Sequence, residues 1–167
     1  MSIELIVLDV DGTMTNGEIT YSSSGEELKS FDVKDGLAIA SWIKLGKHVA
    51  IITGRKSTIV ERRAKELQID FLYQGIKNKA AILDEITQKL NISMNRVAAI
   101  GDDLNDLSML KRVGMSFAPA NASSYITPMV DIVVKHNGGE GAVREMIEYI
   151  IKNDNLEEEF LSIWQSE

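Results

Sequence analysis

Three short apolar runs, each ending abruptly in polar or glycine residues, constrain the fold of this chain more than any other feature. Ile3 to Val10 runs into Asp9 and Asp11, Val49-Ala50-Ile51-Ile52 into Thr53-Gly54-Arg55, and Val97-Ala98-Ala99-Ile100 into Gly101-Asp102-Asp103. A strand without in-and-out alternation is buried on both faces, as the central strands of a parallel sheet are. Helical patterns separate the runs at Leu37 to Leu45, Ile59 to Leu67 and Ala80 to Leu90; in the last, Ile82, Leu83, Ile86 and Leu90 recur at helix spacing. Shorter strands are expected at Phe71 to Tyr73, Ser116 to Ala118 and Ile132 to Val134. The alternation predicts an α/β fold, a three-layer, Rossmann-like, doubly wound parallel sheet in which ligands bind beyond the carboxyl ends of the strands. All three polar signatures fall at those ends, so segments far apart in sequence are expected to form one site.

Two stretches depart from the alternation. Gly17 to Val33 carries β-formers around Ser22-Ser23-Ser24-Gly25 and predicts a hairpin, part of a flap spanning about 12–33. No room remains for a cap domain. The end of the chain, a helical tail over about 140–167, has a glycine turn, Gly138-Gly139-Glu140-Gly141, then a helix from about Ala142 to Ile151 and a last segment from Leu156 to Trp164. There Leu156, Phe160, Ile163 and Trp164 share one face and Glu157, Glu158 and Glu159 lie elsewhere, which predicts an apolar packing stripe under a solvated acidic surface. The stripe packs on the rest of the chain or on another subunit. A length of 167 residues, 44% of them hydrophobic, fits a single domain over 1–167 with one well-buried core.

Charge narrows the partners. With 18 Lys+Arg against 25 Asp+Glu, a formal charge of -7 argues against nucleic acid or an anionic membrane as the main partner. There is no cysteine, so a metal would be held by oxygen or by His48 and His136. The start of the chain lacks the pattern of a signal peptide, and no apolar run reaches the roughly 18–20 residues that span a bilayer, so a cytoplasmic location is expected.

Asp9-Val10-Asp11-Gly12-Thr13 puts two carboxylates two residues apart at the end of a buried strand, and like charges buried together need a cation. A calcium loop would need further oxygen ligands at regular spacing, which Met14, Thr15 and Gly17 do not supply. Gly101-Asp102-Asp103-Leu104-Asn105-Asp106 adds three carboxylates at another strand end, with Asp102 best placed for direct ligation. Asp103 and Asp106 either support the ligands from behind or cap the following helix. Magnesium suits the count, being held by one or two carboxylates plus waters and phosphate. Thr53 with Gly54 offers a hydroxyl and backbone amides to phosphate oxygens, and Lys79 offers a charge at a helix start. Alone, the first reads equally as a turn and the second as a surface lysine.

Together, and in this order, Asp9 to Thr13, Thr53, Lys79 and Gly101 to Asp106 resemble the four motifs of the haloacid dehalogenase superfamily of phosphohydrolases. The resemblance implies that Asp9 attacks phosphorus, that Asp11 protonates the leaving oxygen and then activates water, and that Mg2+ sits on Asp9, the main-chain carbonyl of Asp11 and Asp102. Thr53 and Lys79 complete the catalytic set. Within the superfamily the chain is similar along nearly its full length to the 3-deoxy-D-manno-octulosonate 8-phosphate (KDO 8-phosphate) phosphatases. The similarity runs through Gly25-Glu26-Glu27-Leu28-Lys29, Phe31-Asp32-Val33-Lys34-Asp35-Gly36, Ile51-Ile52-Thr53-Gly54-Arg55-Lys56, Leu72-Tyr73-Gln74-Gly75, Asn78-Lys79 and Gly141-Ala142-Val143-Arg144-Glu145.

This family likeness implies substrate contacts at Asp11, Asp32, Val33, Lys34, Asp35, Gly36, Thr53, Gly54, Arg55, Arg63 and Lys79. It also implies a homotetramer in which a neighbouring subunit closes the site, and a place in lipopolysaccharide synthesis. An arginine grips a carboxylate with two parallel hydrogen bonds, which suits a sugar acid. Arg63, set among Glu61, Arg62 and Lys65, also reads as a solvated helix charge. One departure bears on the substrate: Glu140 stands where many of these phosphatases have arginine, and related enzymes acting on a nine-carbon acid phosphate, KDN 9-phosphate, can carry the glutamate. Arg55 and the Asp32 to Gly36 segment favour the eight-carbon acid.

A receiver-like signalling domain shares the aspartates, magnesium, Thr and Lys, but its acidic pair follows the first strand and its phosphoacceptor stands alone at a later one. A noncatalytic relative of the kind attached to sugar-nucleotide synthetases would not need the intact set, and a phosphomutase would need a cap to keep water out. Hydrolysis is the expected reaction. An Asp9→Asn protein is expected to stay folded and to lose essentially all turnover; phosphate release at the unaltered rate would remove the nucleophile assignment.

Overall fold

The computed structural model describes residues 1–166; Glu167, the last residue of the expected tail, lies outside the described residues. Six parallel strands form one sheet in the order β5-β4-β1-β6-β7-β8. They are β1 (Leu5–Leu8), β4 (His48–Ile52), β5 (Phe71–Tyr73), β6 (Val97–Ile100), β7 (Met115–Ala118) and β8 (Ile132–Val133). The strands β1 and β6 are buried at every residue, which is why they show no alternation. The helices α1 (Val33–Lys44), α2 (Thr58–Glu66), α3 (Lys79–Leu90), α4 (Leu107–Leu110), α5 (Ala142–Asn153) and α6 (Glu157–Gln165) complete the three layers.

The pleat of β1 separates two cores. Ile6 and Leu8 pack with Trp42 and Ile39 of α1, Val60 of α2 and Met146, Ile147 and Ile150 of α5. Leu5 and Val7 point to the other face, with Leu83 and Ile86 of α3 and Met109 of α4. Each fully buried Leu or Ile contributes about 1.5–3 kcal/mol, so the sheet is held from both sides. The tail stripe packs on the rest of the same chain: Leu156 and Phe160 join the α1/α5 core, and the indole N–H of Trp164 donates to Ser41 Oγ at 3.1 Å. No helix among the described residues is long and apolar enough to cross a membrane.

Register assembles the site. Leu5 aligns with His48 on one side and Val97 on the other, and Leu8 with Ile51 and Ile100. The chain therefore leaves β1 at Asp9 level with the ends of β4 and β6, and the polar signatures of all three strands meet at one edge. The strand breaks off before the expected Val10 because the backbone turns: the amides of Thr13, Met14 and Thr15 all donate to Val10 O.

Two further elements differ from expectation. The hairpin is short, with β2 (Thr20–Tyr21) antiparallel to β3 (Glu27–Leu28), and it forms its own two-stranded sheet. Helix α1 begins at Val33 rather than Leu37 because the Asp32 carboxylate accepts from the amides of Lys34 (2.7 Å) and Asp35 (3.1 Å). That cap extends the helix through a first turn whose Lys, Asp and Gly carry no apolar periodicity.

The loop before α5 lies directly on the loop after β1. The amide of Gly139 donates to Thr13 O at 3.0 Å, and a Cβ on Gly138 would stand 1.9 Å from Gly12 O and 2.9 Å from Thr15 O, both main-chain atoms. Gly138→Ala must push the two loops apart. We expect a loss of about 1–3 kcal/mol, the usual cost of overpacking, read as a lower urea midpoint with an unchanged slope. An unchanged midpoint would mean that the two loops separate freely.

Candidate active site

Lys79 opens α3 yet is fully buried. Its Nζ lies 2.8 Å from Asp9 Oδ1 and 2.5 Å from Asp106 Oδ1. Burial opposes its charge, but the two carboxylates outweigh that effect and hold its pKa above the ordinary lysine value. Asp106, also fully buried, accepts with its second oxygen from the amides of Asp102 (2.9 Å) and Asp103 (3.2 Å). Asp103 caps the turn that follows, with Oδ1 accepting from Leu104 N at 2.7 Å. Lysine, aspartate and capped turn thus fix where Asp102 stands.

Asp9, Asp102 and Asp106 each bring a carboxylate oxygen within 4.8 Å of the others. Burial raises Asp9 to about 7 against the attraction of Lys79, with Asp102 adding to the rise; burial also raises Asp106 to about 6 and pushes Asp102 upward. One lysine is too little positive charge for two buried carboxylates and a half-buried third, and the donor set is entirely oxygen. The oxygens of Asp106 are taken by Lys79 and two amides, so Asp9 and Asp102 are the side chains that face a cation. Gly12 keeps the space beside them open: its φ is +88°, and a Cβ there would lie 2.0 Å from Asp102 Oδ2. These residues fit a hard divalent ion such as magnesium. His48 pairs with Asp70 and His136 with Glu145, and neither joins this cluster.

A cavity of about 190 Å3 opens over the strand ends, lined by Asp9, Asp11, Thr53, Gly54, Arg55, Asp102, Asp103 and Asn105. Arg55 is half-exposed at its mouth and reaches Glu27 of the hairpin at 3.4 Å. Two lining or contacting residues were not singled out from the sequence. Asn105 sits inside the last acidic motif, which is the signal that marks it. Lys29 contacts Asp11 at 2.5 Å from the hairpin, and a lone lysine in a short strand pattern carries no signal of burial.

The other expected contact residues stand elsewhere on the same chain. Asp32 and Lys34 line a depression of about 660 Å3 with His136, Glu140 and Arg144. Asp35 is buried beside it, accepting from Arg144 N at 2.8 Å, with its pKa raised to about 6 by burial. Val33 is exposed, and Gly36 lies under the Arg63 guanidinium. Arg63 itself lines a third depression of about 380 Å3 with Phe31 and Lys29, its guanidinium 5.5 Å from the Phe31 ring centre.

A parallel sheet with a buried Asp–Lys–Asp bridge and a second carboxylate two residues along is the layout of a haloacid dehalogenase-like hydrolase, and residues 71–147 match the model of that family. Similar proteins narrow the match. The 3-deoxy-D-manno-octulosonate 8-phosphate phosphatase KdsC of Escherichia coli K12 is 43% identical over 150 residues, spanning 90% of this chain and 80% of that one. The Moraxella catarrhalis phosphatase of the same name, in a crystal structure with magnesium, phosphate and KDO, superposes with a TM-score of 0.93 at 40% identity over 97% of this chain and 93% of the other. The cobalt-bound Haemophilus influenzae phosphatase gives 0.87 at 36% identity over 90% of this chain and 88% of the other. The chain belongs to the 3-deoxy-D-manno-octulosonate 8-phosphate phosphatase family of these hydrolases.

Replacing Lys79 by Met leaves Asp9 and Asp106 as uncompensated buried carboxylates. We expect Lys79→Met to lose about 3–5 kcal/mol of stability, the usual consequence of removing one partner of a buried ion pair, measured by urea unfolding. A loss below about 1 kcal/mol, the range of a surface pair, would show that the bridge is solvated.

Proposed function

We propose that this protein is a magnesium-dependent phosphatase that hydrolyses KDO 8-phosphate to KDO and inorganic phosphate through an aspartyl-phosphate on Asp9. The observation that carries the reading is the joint placement of Asp9, Lys79, Asp106 and Asp102, with Asp11 facing the same cavity. It is supported by the name that the similar enzymes share and by the magnesium, phosphate and KDO bound in one of them.

Asp9, Asp102 and the main-chain carbonyl of Asp11 would hold magnesium, which offsets the repulsion between a carboxylate and a phosphate dianion and polarises the phosphoryl oxygen. Lys79 donates to one oxygen of Asp9 and opposes the rise that burial causes in its pKa, and Asp106 anchors Lys79. Thr53 and Gly54 orient the phosphate with a hydroxyl and an amide. As the bond from Asp9 to phosphorus forms, the bond to the sugar oxygen breaks and Asp11 delivers its proton to that oxygen. Asp11, now a carboxylate, takes a proton from the water that attacks the aspartyl-phosphate, and Asp9 is released. Arg55 at the mouth pairs with the carboxylate of the sugar acid.

The reading treats 1–167 as one catalytic domain with the hairpin as its flap, working in the cytoplasm in lipopolysaccharide sugar synthesis. It takes the assembly to be a homotetramer. Within one chain, Asp32, Lys34 and Arg63 line depressions other than the Asp9 cavity, so the reading brings them to the substrate from a neighbouring subunit. The exposed Ile19, Tyr21 and Leu28 of the hairpin are apolar surface suited to that contact.

Glu140 favours a second reading. It lines the same depression as Asp32, Lys34 and Arg144, where a glutamate in place of arginine alters the charge presented to the sugar acid, and this suits KDN 9-phosphate. Phosphate release from the two substrates at equal concentration, with magnesium and with a chelator, separates the readings. A magnesium-dependent preference for the eight-carbon acid is expected. Preference for the nine-carbon acid would make Glu140 the centre of specificity, and release from neither would remove the substrate assignment.

A further inference from the structure

The hairpin contributes a charged group to the site that the reaction scheme above leaves unused. Lys29, next to the end of β3, has a side chain only 1% exposed, and its Nζ lies 2.5 Å from Asp11 Oδ1 and 3.0 Å from Glu27 Oε1. Glu27 in turn accepts from Arg55 at 3.4 Å, so the chain of charges runs from Asp11 through the hairpin to the mouth of the cavity. The Asp11 side chain itself is 22% exposed and lines the cavity. Burying an ammonium against a half-open carboxylate is a poor arrangement for stability alone, since a lysine at a hairpin end reaches water at little cost.

We infer that Lys29 is a positioning residue for Asp11: its bond to Oδ1 fixes the carboxyl group so that Oδ2 faces the leaving oxygen. Among the described residues Oδ2 has no hydrogen-bond partner, so the bond to Oδ1 alone sets the orientation of the carboxyl group in the cavity. The ammonium is also in place before the proton moves, and it stabilises the carboxylate that remains on Asp11 when the proton passes to the departing alkoxide. Lys29 keeps its own protons throughout. The hairpin thereby makes acid catalysis depend on its being seated: with β3 displaced, Asp11 is a solvated carboxyl free to rotate.

The inference rests on the proposed role of Asp11 as the acid, and leaving-group dependence tests the two separately. kcat/KM covers the steps up to departure of the alcohol, and p-nitrophenyl phosphate, with its stable leaving group, needs no acid whereas KDO 8-phosphate does. General acid catalysis contributes about 100- to 10,000-fold, so misplacing the acid in Lys29→Met is expected to lower kcat/KM for KDO 8-phosphate by about 10- to 100-fold. For the aryl ester the fall is expected to be less than about threefold, and Lys29→Arg, which restores the bond to Oδ1, recovers most of the loss. Asp11→Asn is the reference. If Asp11→Asn discriminates between the leaving groups and Lys29→Met does not, through equal losses or none, the positioning role is wrong. If Asp11→Asn itself fails to discriminate, the acid assignment falls and the role of Lys29 falls with it. A Lys29→Met protein that unfolds leaves Lys29→Arg and Glu27→Gln to decide: the first must keep, and the second must keep within about threefold, the leaving-group ratio of the unaltered enzyme, because both preserve a cation on Oδ1.

Discussion

A single buried ammonium organises this protein. Lys79 enters the interior from the first residue of α3 and binds Asp9 at the end of β1 and Asp106 in the turn after β6. The lysine opposes the rise that burial causes in both carboxylates, and they in turn keep it charged against burial. Asp106 passes the constraint on through the amides of Asp102 and Asp103. The position of Asp102 relative to Asp9 is therefore set by a bridge of side chains as well as by the sheet. Three carboxylates against one lysine leave a deficit of positive charge, and that deficit is what a divalent cation answers.

The sheet makes the bridge geometrically available. Because β1 lies between β4 and β6 in parallel register, the carboxyl ends of three strands open at one edge, and each loop needs to reach only a few ångströms to meet the others. The loops are then locked by close approaches, the Gly12 backbone against the Asp102 carboxylate and Gly138 against the Gly12 main chain. Around this rigid floor the hairpin is the lightly built part, two residues per strand, which alone is marginally stable. It is held to the floor by the charges of Lys29 and Arg55 rather than by apolar packing.

Much of this was legible in the residues. The bounds of Val97 to Ile100 and of Phe71 to Tyr73 follow directly from runs of apolar and β-branched residues, and the placement of the acidic motifs at strand ends follows from where those runs stop. The start of α1 was not legible from periodicity, because its first turn carries Lys34, Asp35 and Gly36; the signal was the capping aspartate, Asp32. Asp103 reads equally as a supporting group or a cap until its hydrogen bond to Leu104 N is seen. Lys29 stood only in the Gly25 to Lys29 stretch of the family likeness, and nothing around it in the chain says that its ammonium is buried.

The sequence by itself determined the class of fold and which groups are candidates for the chemistry. Both are written in local patterns: strand burial in continuous apolar runs, and the chemistry in carboxylates placed where those runs end. Only the tertiary structure decided which of those groups touch. Lys79 becomes a buried bridge, Asp106 its anchor and Lys29 the partner of Asp11 through contacts spanning 70, 27 and 18 residues of chain. It also decided that Asp32, Lys34 and Arg63 stand apart from Asp9 within one chain. Charge–charge distance depends on how the layers pack, and packing is a property of the whole fold that no local pattern encodes.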